Sequence, residues 1–130
     1  MAEPEVSAEV ADFVERVLHD PEQPIVLFAL EWCEFCWSVR KLFARCGIAF
    51  RSIDLDSAKY QKNDRGGQIR AALRARTGVR TIPQVFVGGK FVGGCTETFD
   101  AFKQGKLQAM LKECGVVFDD SVATDPYALL

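Results

Sequence analysis

The chain has 130 residues, 48% of them hydrophobic and 26% charged, a composition that supports a packed core and excludes intrinsic disorder. At about 150 residues per typical domain, one compact unit is expected rather than two. Sixteen Lys and Arg against eighteen Asp and Glu leave a formal charge of −2, so there is no cationic excess to neutralise a nucleic-acid backbone.

The first residues, Met1 to Glu5, are acidic and lack the basic and then apolar regions of a secretory signal, which points to a cytoplasmic chain. Val10, Phe13, Val14, Val17 and Leu18 recur at the three-and-four spacing of one helical face, with Ser7 as the expected N-cap. Pro21 and Pro24 close that segment. Ile25 to Leu30 is short, apolar and rich in strand formers, as in a buried central strand, and far below the roughly 18 residues of a membrane span. A second helix is predicted from just after Cys33 to Cys46, through Val39, Leu42 and Phe43, with Gly47 as its stop. Ala49 to Leu55 reads as a second strand, parallel to the first because a helix joins them. Residues 57–67 are polar and end in Gly66-Gly67; they are expected to form a loop with some helix at its start. Ile69, Ala72 and Leu73 then predict a basic amphipathic helix ending near Gly78. Gln84–Val87 and Lys90–Val92, joined by Gly88-Gly89, form an antiparallel hairpin. One or two short helices follow, through Phe99, Phe102, Leu107, Met110, Leu111 and Cys114. The organisation expected is an N-terminal helical extension (1–23), an α/β domain (24–115) and a C-terminal tail (116–130).

Five cysteines, at 33, 36, 46, 95 and 114, are an odd set whose spacing suggests no extracellular disulfide framework. Cys33-x-x-Cys36 lies where a strand passes into a helix. The unpaired N–H groups at such a helix start favour thiolate over thiol, making Cys33 the candidate nucleophile. Cys36, one turn later, is placed to attack a mixed disulfide on Cys33 and close a small ring. The same spelling makes half of a zinc site. No second Cys pair is present, and the single histidine, His19, precedes the first strand, so redox chemistry is the preferred reading.

Three separated elements, Trp32-Cys-Glu-Phe-Cys36, Thr81-Ile-Pro83 and Gly93-Gly-Cys95 followed by Thr96-Glu97, resemble the glutaredoxins of the thioredoxin superfamily over roughly residues 24–115. Thioredoxin itself, with its usual Cys-Gly-Pro-Cys and no Gly-Gly-Cys segment, fits less well. The resemblance implies a thioredoxin-like α/β fold with a four-stranded mixed sheet in order 2-1-3-4, flanked by helices. It implies an enzyme that uses glutathione as co-substrate to reduce glutathionylated or disulfide-containing proteins, with Cys33 attacking and Cys36 as the second cysteine. Pro83 matches the family's cis-proline, beside Thr81 and Ile82. Gly94, Cys95, Thr96 and Glu97 match the segment that grips the γ-glutamyl carboxylate. Arg70 matches a contact to the glycine carboxylate, and Phe35 stands where a tyrosine is common.

Leu30 occupies a position where many members carry lysine, and Glu34 replaces the proline of Cys-Pro-Tyr-Cys. With Glu31, it sets two acids against the helix-end effect on Cys33; Arg40, Lys41, Arg70 and Arg80 are the available compensating cations. Members lacking that proline sometimes hold a [2Fe–2S] cluster between two protomers, using the first cysteine of each, here Cys33, and two glutathiones. The resemblance therefore implies a monomeric reductase or, as the alternative, a cluster-bridged homodimer.

Elsewhere, Cys46 and Cys114 fall on apolar helix positions and are expected as buried structural thiols. Cys95 is expected to act through its backbone rather than through a regulatory disulfide. Trp32 and Trp37 are either packing residues or exposed contacts for partner proteins, and His19 is a surface residue near a helix end.

Overall fold

The structure, a computed structural model, describes residues 5–121. Helix α1 (Ala8–Leu18) starts where the sequence places it: Ser7 Oγ accepts the Val10 N–H at 3.2 Å, satisfying one of the donors a helix start leaves open. It buries Val10, Val14, Val17 and Leu18. His19 ends it and stays exposed, 3.2 Å from Glu15.

Strand β1 (Ile25–Ala29) is buried along its whole length. It pairs in parallel with β2 (Arg51–Asp54) on one side and antiparallel with β3 (Gln84–Val87) on the other. Strand β4 (Lys90–Gly93) pairs antiparallel with β3, giving the order β2-β1-β3-β4. Strand alternation splits the core into two layers. Val26, Phe28 and Phe86 face α1 and helix α3 (Arg65–Thr77), in a cluster with Ile53, Leu55, Ile69 and Leu73. Ile25, Leu27, Ala29, Val85 and Val87 face helix α2 (Glu34–Arg45), helix α4 (Cys95–Lys103) and helix α5 (Lys106–Glu113). Each fully buried Phe, such as Phe28, Phe43 or Phe86, contributes about 1.5–3 kcal/mol of hydrophobic stabilisation.

The N-terminal helix is part of this core, packed against α3 and tied to it by Arg65–Glu9 at 3.1 Å and an Arg76–Glu15 pair. The tail also folds back as far as it is described: Val116 and Phe118 pack on the second layer, and the Asp119 N–H donates to the Cys46 carbonyl at 2.7 Å. Residues 122–130 of the predicted tail lie outside the described residues. Among the described residues, no helix is long and apolar enough to cross a membrane.

Two expectations need correction. The predicted loop does contain 3₁₀ turns, at Ala58–Tyr60 and Lys62–Asp64, but α3 begins at Arg65 and takes Gly66-Gly67 inside it. The cause is tertiary: a Cβ on Gly66 would lie 2.0 Å from the Leu55 carbonyl oxygen, so only glycine lets the first turn sit against the end of β2. Cys114, expected to be buried, is exposed at the C-cap of α5. Burial on that helix goes to Leu107 and Leu111.

Candidate active site

Strand β1 delivers the chain to Cys33, the N-cap of α2, whose extended backbone (φ −141°, ψ 121°) turns the thiol back over the helix start. There Cys33 Sγ accepts the Cys36 N–H at 3.4 Å. Cys33 is half-buried, whereas Cys36 lies fully inside. Burial, followed by the hydrogen bond with Cys33, pushes the Cys36 thiol up to about 12, against smaller lowering by a Leu30 backbone hydrogen bond and by Arg40. The two sulfurs thus occupy different environments, one open to a partner and one in the core.

Beside them is a groove of about 200 Å³ lined by Phe35, Thr81, Ile82, Pro83, Gly94, Cys95, Thr96 and Glu97. The structure therefore brings together three segments singled out in the sequence. The Ile82–Pro83 peptide bond is cis. Arg70 does not line the groove; it is exposed on α3. Roomier clefts of about 350 and 320 Å³ lie elsewhere, the first along Ser7 and Lys59 and the second along Pro21 and Cys114, so size alone does not locate the site.

The floor of the groove is the start of α4. Thr98 N–H closes the first helical hydrogen bond, to the Gly94 carbonyl at 3.0 Å, leaving the amides of Cys95, Thr96 and Glu97 without partners inside the helix. Such a terminus attracts carboxylates. Glu97 Oε1 accepts the Gly94 N–H at 2.8 Å, and Thr98 Oγ1 donates to the Gly94 carbonyl at 2.7 Å. Gly93 has φ +134°, and a Cβ there would come within 2.4 Å of Glu97 Cβ, so the approach to this turn requires glycine.

One positioning residue was not singled out from the sequence. Gln84 is buried at the start of β3, and its Nε2 donates to the carbonyls of Val79 at 2.9 Å and Thr81 at 3.2 Å, holding the loop that carries Thr81–Pro83. Its signal was a polar residue opening an otherwise apolar strand.

Two of the four cations expected to offset Glu31 and Glu34 have other partners. Arg40 Nη2 is 2.7 Å from Asp54 Oδ1 and also donates to the Leu30 carbonyl at 3.3 Å, while Lys41 Nζ lies 4.9 Å from the Trp37 ring centre. Neither tryptophan is a packing residue: Trp32 is 92% and Trp37 57% exposed, with Phe35 at 63% between them. Among the described residues, no group of three or more His, Cys, Asp or Glu converges as a metal site. Within one protomer, Cys36 is buried, so the motif offers only Cys33 as an accessible sulfur, and one chain would not by itself supply the four ligands an iron–sulfur cluster takes.

A mixed four-stranded sheet with Cys-x-x-Cys at the end of its central strand, facing a cis-proline, defines a thioredoxin-like fold with a redox site. The family model described as Glutaredoxin matches residues 25–92. A glutaredoxin of Solanum lycopersicum is 40% identical over 100 residues, covering 77% of this chain and 88% of its own. Glutaredoxin-C1 of Arabidopsis thaliana is 38% identical over 98 residues, covering 75% of this chain and 74% of its own. A buckwheat glutaredoxin crystallised in complex with glutathione superposes with a TM-score of 0.74 at 38% identity, over 84% of this chain and 93% of that one. The chain belongs to the glutaredoxin family, whose chemistry is thiol–disulfide exchange.

Proposed function

We propose that this glutaredoxin is a glutathione-dependent reductase of protein–glutathione mixed disulfides and of protein disulfides. The observation that carries the reading is the half-buried Cys33 thiol at the start of α2, next to a groove that ends on the open amides of α4. In the monothiol route, Cys33 thiolate attacks the glutathione sulfur of a glutathionylated protein. The protein–glutathione S–S bond breaks, the protein leaves as a thiolate that takes up a proton, and Cys33 holds glutathione as a mixed disulfide. A second glutathione thiolate attacks that disulfide, releasing glutathione disulfide and regenerating Cys33.

In the groove, the cysteinyl backbone of glutathione would lie along Ile82 like an added strand, and its γ-glutamyl carboxylate would sit on the α4 amides. With a protein disulfide, Cys36 would displace the partner from Cys33. A set of five cysteines suits a reducing compartment such as the cytoplasm. The relative crystallised with glutathione supports the choice of co-substrate. The test is a glutathione-coupled assay on a glutathionylated protein: Cys33→Ser should abolish turnover and Cys36→Ser should retain it. Equal loss in both variants would refute the monothiol route.

A further inference from the structure

Five large hydrophobic side chains are exposed among the described residues, and three of them, Trp32, Phe35 and Trp37, fall in one short stretch around Cys33. Packing does not require them, since Cys36 and Val39 already fill the buried face of this helix start. Phe35 lines the groove, but Trp32 and Trp37 do not. Trp32 directly precedes Cys33, and the Trp37 N–H donates to the Cys33 carbonyl at 2.9 Å. Both tryptophans therefore adjoin the reactive residue yet lie outside the space assigned to the tripeptide, where the rest of a substrate would pass.

The same rim is anionic. Glu31 and Glu34 are exposed and form no ion pair among the described residues. Asp56 Oδ1 accepts the Glu31 N–H at 2.8 Å, which adds a third exposed carboxylate at this edge. The nearby cations do not cancel them: Arg40 is held by Asp54, and Lys41 lies over Trp37. Arg70 stands on α3, in the other layer of the core, and Arg80 precedes Thr81 of the groove wall. Lys41 also shows what the rim accepts, an ammonium 4.9 Å from an indole centre, within the range of cation–π attraction. Trp32, the more exposed ring, has no such partner among the described residues.

We infer that this rim selects protein substrates whose glutathionylated cysteine is flanked by lysine or arginine. The inference deepens the proposed function above and rests on it. A flanking cation meets a carboxylate and an aromatic face together, and its aliphatic stem covers ring surface. A flanking carboxylate meets like charges instead. A second copy of this chain would bring the same carboxylates to the contact, so the charge pattern opposes self-association there.

The experiment uses two glutathionylated peptides that differ only in the residues flanking the cysteine, lysines in one and glutamates in the other. Their kcat/KM values are measured with the full chain in the glutathione-coupled assay, at low and at high ionic strength. The expected result at low ionic strength is a preference of about five- to tenfold for the lysine peptide, the size that a few exposed charge contacts supply. Added salt should shrink it. Glu31→Gln/Glu34→Gln should bring the ratio toward one, and Trp32→Ala should slow the lysine peptide more than the glutamate peptide. Each readout is a ratio of two substrates on one preparation, so a variant with a smaller active fraction still reports selectivity. Equal kcat/KM for the two peptides, or a preference that survives Glu31→Gln/Glu34→Gln, would overturn the inference while leaving the glutathione reading intact. Turnover of neither peptide would overturn the proposed function and the inference with it. A concentration-dependent dimer in sedimentation that Trp32→Ala abolishes would assign the rim to self-contact and also overturn the inference.

Discussion

The amide of Cys36 donates to the sulfur of Cys33 at 3.4 Å while the Cys36 thiol itself is sealed in the core. One residue therefore has two separable parts in the site: a backbone donor that faces the half-buried Cys33 sulfur, and a side chain withheld from water. Substitutions at position 36 retain the first part and alter the second.

Burial, and next the Cys33 hydrogen bond, push the Cys36 thiol from 9.0 up to about 12. A thiol held protonated in the fold but free to ionise in the unfolded chain contributes stability that is complete below about pH 9 and is lost as pH rises toward about 12. Urea denaturation should show stability falling through that window, by on the order of 1.4 kcal/mol per pH unit at its steepest from this group. Cys36→Ala should flatten the fall. An identical slope in the variant would assign the loss to other groups.

Gly66 and Gly67 are neighbours in α3 with opposite expectations. An alanine Cβ at Gly66 meets the Leu55 carbonyl oxygen at 2.0 Å, a backbone atom that cannot swing aside; Gly66→Ala should cost about 1–3 kcal/mol or more, as overpacking does. At Gly67 the nearest atoms belong to the Asp64 carboxylate, which can rotate away. Gly67→Ala should be neutral or stabilise by up to about 1 kcal/mol, the usual helix-interior preference for alanine. Thermal denaturation of the pair checks both signs.

The sequence patterns located every strand and the cysteine-bearing helix start because those depend on local chemistry: a short apolar run at Ile25–Ala29, glycines at the hairpin, a stop at Gly47. Reasoning from neighbours along the chain failed where a distant contact decided the outcome. Gly66-Gly67 reads as a loop until the Leu55 carbonyl is known to lie against it. Cys114 reads as apolar periodicity, but it falls at the C-cap of α5, where the helix no longer buries it. The groove was legible as three separate motifs, but Gln84 was not, since its role depends on carbonyls that the loop alone brings to it.

Gln84→Leu keeps the volume roughly constant and removes the donor shared by the Val79 and Thr81 carbonyls. Leaving such acceptors unsatisfied should cost about 1–3 kcal/mol. If Gln84 positions the groove, the variant should also raise KM for glutathione more than it lowers kcat in the coupled assay. A stability loss with unchanged KM would limit Gln84 to a structural role.

Trp32 is so exposed that Trp32→Ala should change stability by no more than about 0.5 kcal/mol. If the Trp32, Phe35 and Trp37 rim meets protein substrates, the variant should lower kcat/KM for a glutathionylated protein while sparing a small glutathione mixed disulfide. Equal effects on both substrates would count against a protein-recognition role.

The chain's two tryptophans are both on that rim, flanking the motif at positions 32 and 37. Its indole emission therefore originates beside the reactive sulfur, giving the molecule an intrinsic optical reporter. Fluorescence intensity and quenching can track oxidation and ligand uptake in real time without any attached dye.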